Sequence, residues 1–219
     1  MRVKIRTRLL RIVGIPTVFN VDGLILAAGR SSRMGSVNKV QAVLAGKSLL
    51  NHVIDRLAPQ VDQLVINGDA GVCGDSGYAL VEDAFDGFQG PLMGLYSALS
   101  SAKSSDKLGQ ATYLMMVPCD GPFIPSNLVA ELHQQIVEQD ADVACIRYQG
   151  FAQPTFSLWH KRVAPAVKEA MLVKKYGGFK PLLADLNTVY LDWPEQSVSP
   201  FFNINTVDDL AEAEGLLCR

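Results

Sequence analysis

The sequence predicts an α/β fold with a mostly parallel sheet. Short apolar runs alternate with segments of helical period, the pattern of strands joined by crossover helices. Polar residues follow several of the apolar runs directly, as expected where parallel strands end at a ligand-binding edge. The chain has 219 residues, of which 48% are hydrophobic, enough for one sizeable core. We therefore predict a single domain over residues 22–219, preceded by a basic extension over residues 1–21.

Each predicted strand is an apolar run bounded by turn residues or charges. In chain order the predicted strands are Gly23–Ala27, Gln63–Ile66, Ala79–Glu82, Ala111–Val117, Asp142–Arg147, Thr155–Trp159, Thr188–Leu191 and Phe201–Ile204.

Helices are predicted where apolar residues recur on one face, as in Leu49–Leu57 and Leu128–Val137. Ser126 and Thr206 stand where helix N-caps are expected. Two acidic residues, Asp208 and Asp209, follow Thr206 and favour the first turn of a last helix through its dipole.

Composition excludes several classes of function. The formal net charge of −2 gives no global field that would draw the protein to nucleic acid or to an anionic membrane. The longest strongly apolar runs are far shorter than the ~20 residues that span a bilayer. The basic residues of the first eleven positions precede an apolar stretch that Gly14 and Pro16 interrupt, which favours an extension over a targeting segment. The four cysteines are scattered without a C-x-x-C pair, which favours reduced thiols and a cytoplasmic location.

The loop after the first strand is a candidate triphosphate site. Residues 24–39 read LILAAGRSSRMGSVNK, so small residues that let a ligand approach the backbone precede several cations. The loop matches neither the P-loop signature nor the dinucleotide signature. An ordinary turn with exposed arginines is the alternative for the loop alone. The small residues and cations concerned are Ala27, Ala28, Gly29, Arg30, Arg33 and Lys39.

Polar side chains follow three further strands. Asp120 comes after the apolar run YLMMV and is a candidate ligand for Mg²⁺, which prefers carboxylate and phosphate oxygens. Asn67 ends the strand LVIN, and Glu82 and Asp83 follow another strand, so that these groups can bind the base and ribose by hydrogen bonds. Taken singly, each of these residues is equally common in turns, and Asp120 could instead cap the turn before Pro122. Their shared position at one edge of the sheet favours a site.

One further loop carries positive charge. Residues 174–180 read KKYGGFK, in which two glycines break a helical pattern that holds three lysines. A solvated loop and a phosphate-contacting loop are equally compatible with this pattern.

Taken in order, these segments resemble the nucleotidyltransferase superfamily with the signature L-A-[AG]-G-x-[SG]-x-R-[ML], and within it the molybdenum cofactor guanylyltransferases. The resemblance runs from about Leu24 to the C-terminus. It implies a three-layer, Rossmann-like fold of the GT-A type with a mostly parallel, mixed sheet. The matching segments are LAAGRSSRMG, NK, GKSLLNHVIDRL, GPLMG, PCDGPFIP, QPTFSL and FFNINTVDDL.

The resemblance implies transfer of GMP from GTP to the terminal phosphate of Mo-molybdopterin, with release of pyrophosphate. Asp120 is then the Mg²⁺ ligand, and Arg33 and Lys39 are the catalytic cations. Asn203 and Asn205 match asparagines on the acceptor or metal side. Cofactor-synthesis proteins and molybdoenzyme chaperones are the protein partners that such a family implies. The implied nucleotide contacts are Leu26, Ala27, Ala28, Gly29, Lys39, Asn67, Asp83 and Asp120.

Two positions depart from the guanylyltransferase pattern. Ala28 stands where a second glycine is usual, and Asn38 stands where an aspartate usually precedes the lysine. Alanine at the first position is common in relatives that use CTP, so a cytidylyltransferase of the same cofactor or of a sugar or polyol phosphate is the alternative enzyme. GPLMG favours guanine. A cofactor-binding or delivery protein is the non-enzymatic alternative, against which Asp120 and Lys39 argue, since carriage of a finished dinucleotide needs no metal ligand.

Overall fold

The computed structural model describes residues 20–28, 39–73, 76–85, 90–101 and 108–217. Residues 1–19 of the predicted extension and residues 29–38 of the predicted triphosphate loop lie outside the described residues. Within the described part, no helix is both long and apolar enough to cross a bilayer.

Strands and helices alternate through most of the described chain. The strands are β1 Val21–Leu26, β2 Val43–Leu44, β3 Lys47–Ser48, β4 Leu64–Asn67, β5 Ala79–Val81, β6 Tyr113–Pro118, β7 Val143–Tyr148, β8 Phe151–His160 and β9 Thr188–Asp192. The helices are α1 Leu49–Leu57, α2 Ala70–Cys73, α3 Pro91–Ser101, α4 Leu128–Glu138, α5 Ala164–Leu172, α6 Phe179–Asp185 and α7 Val207–Leu217.

The main sheet has the strand order β5-β4-β1-β6-β8-β7-β9 among the described strands. β5, β4, β1 and β6 pair in parallel, β8 is antiparallel to both of its neighbours, and β9 is parallel to β7. This is the mostly parallel, mixed sheet that the sequence predicts. A small hairpin of β2 and β3 forms a separate sheet.

Helices cover both faces of the sheet and make three layers. Successive residues of β6 point to opposite faces, so Met115 and Val117 belong to one apolar cluster and Leu114 and Met116 to the other. The first cluster contains the apolar faces of α1 and α4, and the second contains those of α3, α5 and α6. Burial of both faces explains why the central strands are apolar throughout rather than alternating.

Two local predictions are wrong. Residues 201–204, predicted as a strand, form no strand, because the Ile204 amide bonds to the Asp120 carbonyl beyond the end of β6 and Phe201 is buried among aromatic rings. The N-cap of α4 is Asn127 rather than Ser126, and no side chain closes that cap. The Thr206 cap of α7 is confirmed, since its Oγ1 accepts a hydrogen bond from the Asp209 amide at 3.1 Å.

Candidate active site

The carboxyl ends of four parallel strands lie level at one edge of the sheet. Leu26 of β1 pairs in register with Asn67 of β4 on one side and with Pro118 of β6 on the other. Asn67 in turn pairs with Val81 of β5. The chain continues from β1 to β4 on one side of β1, and it returns from β5 to β6 on the other side of β1. In open α/β sheets, ligands bind in the crevice at the point where the strand order reverses, which here lies between β1 and β6.

Backbone hydrogen bonds extend the level edge beyond the strands. The Ala27 amide donates to the Asn67 carbonyl at 2.8 Å, and the Cys119 amide donates to the Leu26 carbonyl at 3.0 Å. Ala27 is buried and Ala28 is exposed, so the chain emerges at this edge with small side chains only. Asp120 directly follows Cys119 in the sequence, so its backbone begins close to the end of β1.

A polar pair lies on the β4–β5 side of this edge. The Asn67 side chain is buried, and its Nδ2 donates to the Val81 carbonyl at 3.0 Å and to Asp83 Oδ1 at 2.9 Å. These two bonds fix the amide orientation, because only the nitrogen can donate to both oxygens. The pair presents an exposed carboxylate and an oriented amide, groups that recognise a nucleobase or ribose by hydrogen bonds.

Gly94 in α3 makes the polar pair possible. A Cβ at this position would stand 2.3 Å from Asn67 Oδ1 and 2.6 Å from Leu26 Cδ2. The last glycine of GPLMG is therefore required by the close approach of α3 to the ends of β1 and β4.

A cationic and anionic pair lies on the β6 side. Lys39 Nζ contacts Asp120 Oδ2 in an ion pair and donates a second hydrogen bond to Asn205 Oδ1 at 2.6 Å. The Lys39 side chain is 17% exposed and the Asp120 side chain 12% exposed, so both charges lie in a partly dehydrated environment. Two strand spacings, about 10 Å, separate this side of the edge from the Asn67 side.

Two buried oxygens in this region lack a hydrogen-bond partner among the described residues: Asp120 Oδ1 and Asn203 Oδ1. Asn203 Oδ1 lies 3.4 Å from the position that a Cβ on Gly121 would take, directly beside the Asp120 backbone. Buried polar atoms without partners are rare, and a site for an ion is one of the ordinary reasons for them. Both are hard oxygen donors of the kind that Mg²⁺ prefers.

The donor set therefore fits a magnesium ion. The described residues contain no group of three carboxylates, imidazoles or thiols that could hold a metal. Mg²⁺ does not need such a cage, because it keeps several waters and usually binds through one or two carboxylates together with substrate phosphates.

The loop over residues 201–205 is held against Asp120 by its backbone and by aromatic packing. The Ile204 amide donates to the Asp120 carbonyl at 2.9 Å. The Phe201 ring packs edge-on against Phe156 at 5.0 Å, and Phe156 in turn fills the space beside Gly121, where a Cβ would stand 2.6 Å from its Cζ. Further edge-on contacts join Phe201 to Tyr148 and Trp193.

The Cys119 thiol, which adjoins Asp120 in the sequence, is not suited to nucleophilic catalysis. Burial is the main cause that raises the pKa of this thiol, and the neighbouring Asp120 carboxylate raises it further. A protonated, buried thiol is inert as a nucleophile. Cys119, Cys73 and Cys145 are all buried free thiols.

The structure brings most of the predicted site residues to one edge. Gly29, Arg30 and Arg33 lie outside the described residues, so their predicted roles stay predictions. The residues brought together are Leu26, Ala27, Ala28, Lys39, Asn67, Asp83, Asp120, Asn203 and Asn205.

Two other features bear on the sequence analysis. Lys174 of the KKYGGFK loop pairs with Asp185 at 2.8 Å and with Glu169 at 3.7 Å, a local network that gives the phosphate-contacting alternative no support. Asp209, predicted only to favour the first turn of the last helix, also accepts hydrogen bonds from the Asn205 and Thr206 amides. The spacing T-x-x-D is the variant of a capping box that could have indicated it.

Comparison with known proteins gives concordant results. The model of the MobA-like NTP transferase domain matches residues 23–189. The chain is similar to a molybdenum cofactor guanylyltransferase of Rhodopseudomonas palustris strain BisB5, with 38% identity over 90% of this chain and 93% of that protein. A protein of the same name from Bradyrhizobium sp. strain ORS 278 is 37% identical over 91% of this chain and 94% of its own length.

Among solved structures, the fold is similar to that of molybdopterin-guanine dinucleotide biosynthesis protein A from Archaeoglobus fulgidus. The TM-score is 0.75 at 22% sequence identity, and the match covers 90% of this chain and 98% of that chain. At this level of identity the similarity establishes the shared fold.

Proposed function

This chain belongs to the MobA-like NTP transferase family, and we propose that it transfers GMP from GTP to the terminal phosphate of Mo-molybdopterin. The products are the guanine dinucleotide form of the cofactor and pyrophosphate. The relatives that share more than a third of their residues with this chain over nine-tenths of its length carry the name of this activity. As a nucleotidyltransferase the protein is an enzyme, rather than a carrier of the finished cofactor.

The observation that carries the proposal is the division of one sheet edge into two polar sides. Asn67 and Asp83 form the first side and are proposed to bind the base and ribose of GTP. Lys39 and Asp120 form the second side, about 10 Å away across β1, and are proposed to bind the triphosphate. Between them the exposed backbone at Ala28 has no side chain large enough to block a nucleotide.

Lys39 and Asp120 are proposed to act on the reacting phosphate. The nucleophile is a phosphate monoester, and its second pKa of about 6 leaves it largely dianionic at neutral pH. The reaction therefore requires no general base. Lys39 places a positive charge where charge develops on the α-phosphate, in a partly dehydrated site where such a charge is most effective. Asp120 is proposed to hold Mg²⁺ through Oδ1, which has no hydrogen-bond partner among the described residues, and Asn203 Oδ1 is proposed as a second oxygen donor. When bound, Mg²⁺ neutralises charge on the transferring phosphoryl group.

The remaining proposed roles concern Gly29, Arg33, Asn205 and the partners. Gly29 and Arg33 are proposed to complete the triphosphate site, and Asn205 to direct Lys39. The buried free thiols suit the cytoplasmic location that we propose. Contacts with cofactor-synthesis proteins or molybdoenzyme chaperones are proposed on the family relationship alone.

The test is a reaction of the full chain with Mo-molybdopterin, Mg²⁺ and either GTP or CTP. We expect pyrophosphate release and dinucleotide formation with GTP. Omission of Mg²⁺, or addition of EDTA, should abolish both products. Turnover with CTP alone would show that the base assignment is wrong, and binding of the finished dinucleotide without turnover would favour the delivery function instead.

A further inference from the structure

The first turn of α7 is tied to the loop that carries Asn203 and Asn205. Asp209 Oδ2 accepts hydrogen bonds from the Asn205 amide at 2.8 Å and from the Thr206 amide at 2.9 Å. In return, Thr206 Oγ1 accepts a hydrogen bond from the Asp209 amide at 3.1 Å. Thr206 thus caps the helix, whereas the Asp209 carboxylate holds the loop.

A short chain of contacts leads from this carboxylate to the proposed site. The Asn205 side chain accepts a hydrogen bond from Lys39 at 2.6 Å and donates one to the Asn203 carbonyl at 3.2 Å. Lys39 in turn forms the ion pair with Asp120. Asn205 is therefore one of the groups that direct the Lys39 ammonium group, and the Asp209 carboxylate holds the backbone of Asn205.

Electrostatics agree with this arrangement. Burial by itself would raise the pKa of Asp209, but hydrogen bonds from Asn205 and Thr206 and the positive charge of Lys39 outweigh it and lower the pKa. Asp209 is therefore ionised at neutral pH. The second acidic residue of the same turn, Asp208, is exposed, and the two loop amides that Asp209 binds donate to Asp209 and not to Asp208.

We propose that Asp209 is a positioning residue for the transfer reaction, which sets the Lys39 ammonium group beside Asp120 by holding the backbone of Asn205. The inference rests on the proposed function for its kinetic consequence. It does not rest on the choice between GTP and CTP, because Lys39 lies on the triphosphate side of the site.

The test compares four variants of the full chain and keeps a fifth in reserve. Asp209→Ala removes the oxygen that holds the loop, and Asp209→Asn keeps a carbonyl oxygen that can accept both amide hydrogens. Thr206→Ala removes the helix cap and leaves the loop contact in place. Asp208→Ala removes a charge from the same helical turn and is the matched control. Asp209→Ser repeats the test should the alanine variant fail to fold.

Kinetics are measured with whichever nucleotide the wild-type enzyme uses. Loss of a group that orients a functional side chain typically costs about 10–100-fold. We expect Asp209→Ala to lower kcat by a factor in this range and to raise KM for the nucleotide less than Lys39→Ala does, since the Lys39 charge is kept and the contacts on the Asn67 side are untouched. Asp209→Asn should restore most of kcat, and Asp208→Ala should match the wild type. Thr206→Ala should lower the thermal midpoint without the loss of kcat.

A second measurement does not depend on the transferase activity of the protein. The acetylation rate of Lys39, measured by mass spectrometry in the nucleotide-free protein, reports how firmly the ammonium group is held. It should rise in Asp209→Ala towards the rate of the exposed Lys168, and it should not change in Asp208→Ala. If the wild type lacks transferase activity, the proposed function fails while this measurement still decides the inference.

Three results would overturn the inference. One is an unchanged kcat and an unchanged Lys39 acetylation rate in Asp209→Ala. Another is a loss of kcat in Thr206→Ala as large as that in Asp209→Ala, because a general loosening of the helix would then explain both. The third is a failure of Asp209→Asn to recover kcat, which would assign the effect to charge rather than to position.

Discussion

Gly94→Ala separates helix propensity from packing at the proposed nucleotide site. Gly94 lies inside α3, and replacement of glycine by alanine in a helix interior normally stabilises a protein by about 1 kcal/mol. Here the new Cβ would stand 2.3 Å from Asn67 Oδ1 and 2.6 Å from Leu26 Cδ2, distances that real Cβ atoms do not tolerate. The Asn67 amide must therefore move.

The cost of that movement follows from the contacts of Asn67. Its Nδ2 loses hydrogen bonds to the Val81 carbonyl and to Asp83, and a buried donor left without a partner costs about 1–3 kcal/mol. Overpacking of a filled core costs about a further 1–3 kcal/mol. After the gain in helix propensity of about 1 kcal/mol, we expect a net loss of stability of about 1–5 kcal/mol.

Gly215→Ala is the matched control, because Gly215 lies in α7 with no atom within 4 Å of the position of a Cβ. It should stabilise the protein by about 1 kcal/mol. Urea denaturation measures both free energies of unfolding, and calorimetry measures GTP affinity, which we expect to fall in Gly94→Ala only. Equal stabilisation by both substitutions with unchanged GTP affinity would refute the argument that Gly94 is required by the site.

Asp120→Asn should lower kcat by at least about 10²-fold, the typical loss when a major stabilising group is removed, and excess Mg²⁺ should not restore it; a variant with the wild-type rate would exclude Asp120 as the metal ligand. Lys39→Ala should weaken GTP binding by about 1.5–3 kcal/mol, the value of a hydrogen bond to a charged group, and calorimetry that finds an unchanged Kd would contradict its role. Burial lowers the pKa of His133, and burial together with Arg162 lowers that of His160, so both imidazoles take up a proton at a lower pH in the folded protein than in the unfolded chain. Above about pH 6.5 these histidines are neutral in both states and do not lower the free energy of unfolding. As the pH falls through about 6.5, the unfolded chain takes up protons before the folded protein does, so the free energy of unfolding decreases until the lower folded pKa values are passed. The urea midpoint should fall between about pH 7 and pH 5, and the double variant His133→Gln, His160→Asn should flatten that fall; an equally steep fall in the double variant would assign it to other groups.

Much of the candidate site could be predicted from the sequence because of one property of parallel sheets. Strands of this kind end at a common edge, so polar residues that directly follow apolar runs meet there although they are distant in the chain. Asn67, Asp83 and Asp120 were predicted on this basis. The register of Leu26 with Asn67 and Pro118 confirms that the strand ends are level. The nucleotide contacts themselves stay predictions.

Local sequence patterns were less reliable where packing decides the conformation. The run from Phe201 to Ile204 is apolar enough for a strand, yet it pairs with no strand. Its rings instead fill a cluster with Phe156, and its backbone bonds to the Asp120 carbonyl. A second example is Pro154, which lies within β8 although proline has no backbone N–H to donate. The register of β8 with β7 shifts between Cys145 and Ile146, and at this irregularity the sheet requires no hydrogen bond from the Pro154 nitrogen.

By itself, the sequence determined the alternation of strands and helices, the sheet edge that is predicted to bind ligands and the residue types available there. These depend on hydrophobic periodicity and on residues close together in the chain. Only the tertiary structure decided that Lys39 lies against Asn205, 166 residues away, and that Asp209 holds Asn205 in place. The physical reason is that a hydrogen bond between distant segments leaves no periodic trace, since it depends on the position that the packed core gives each backbone.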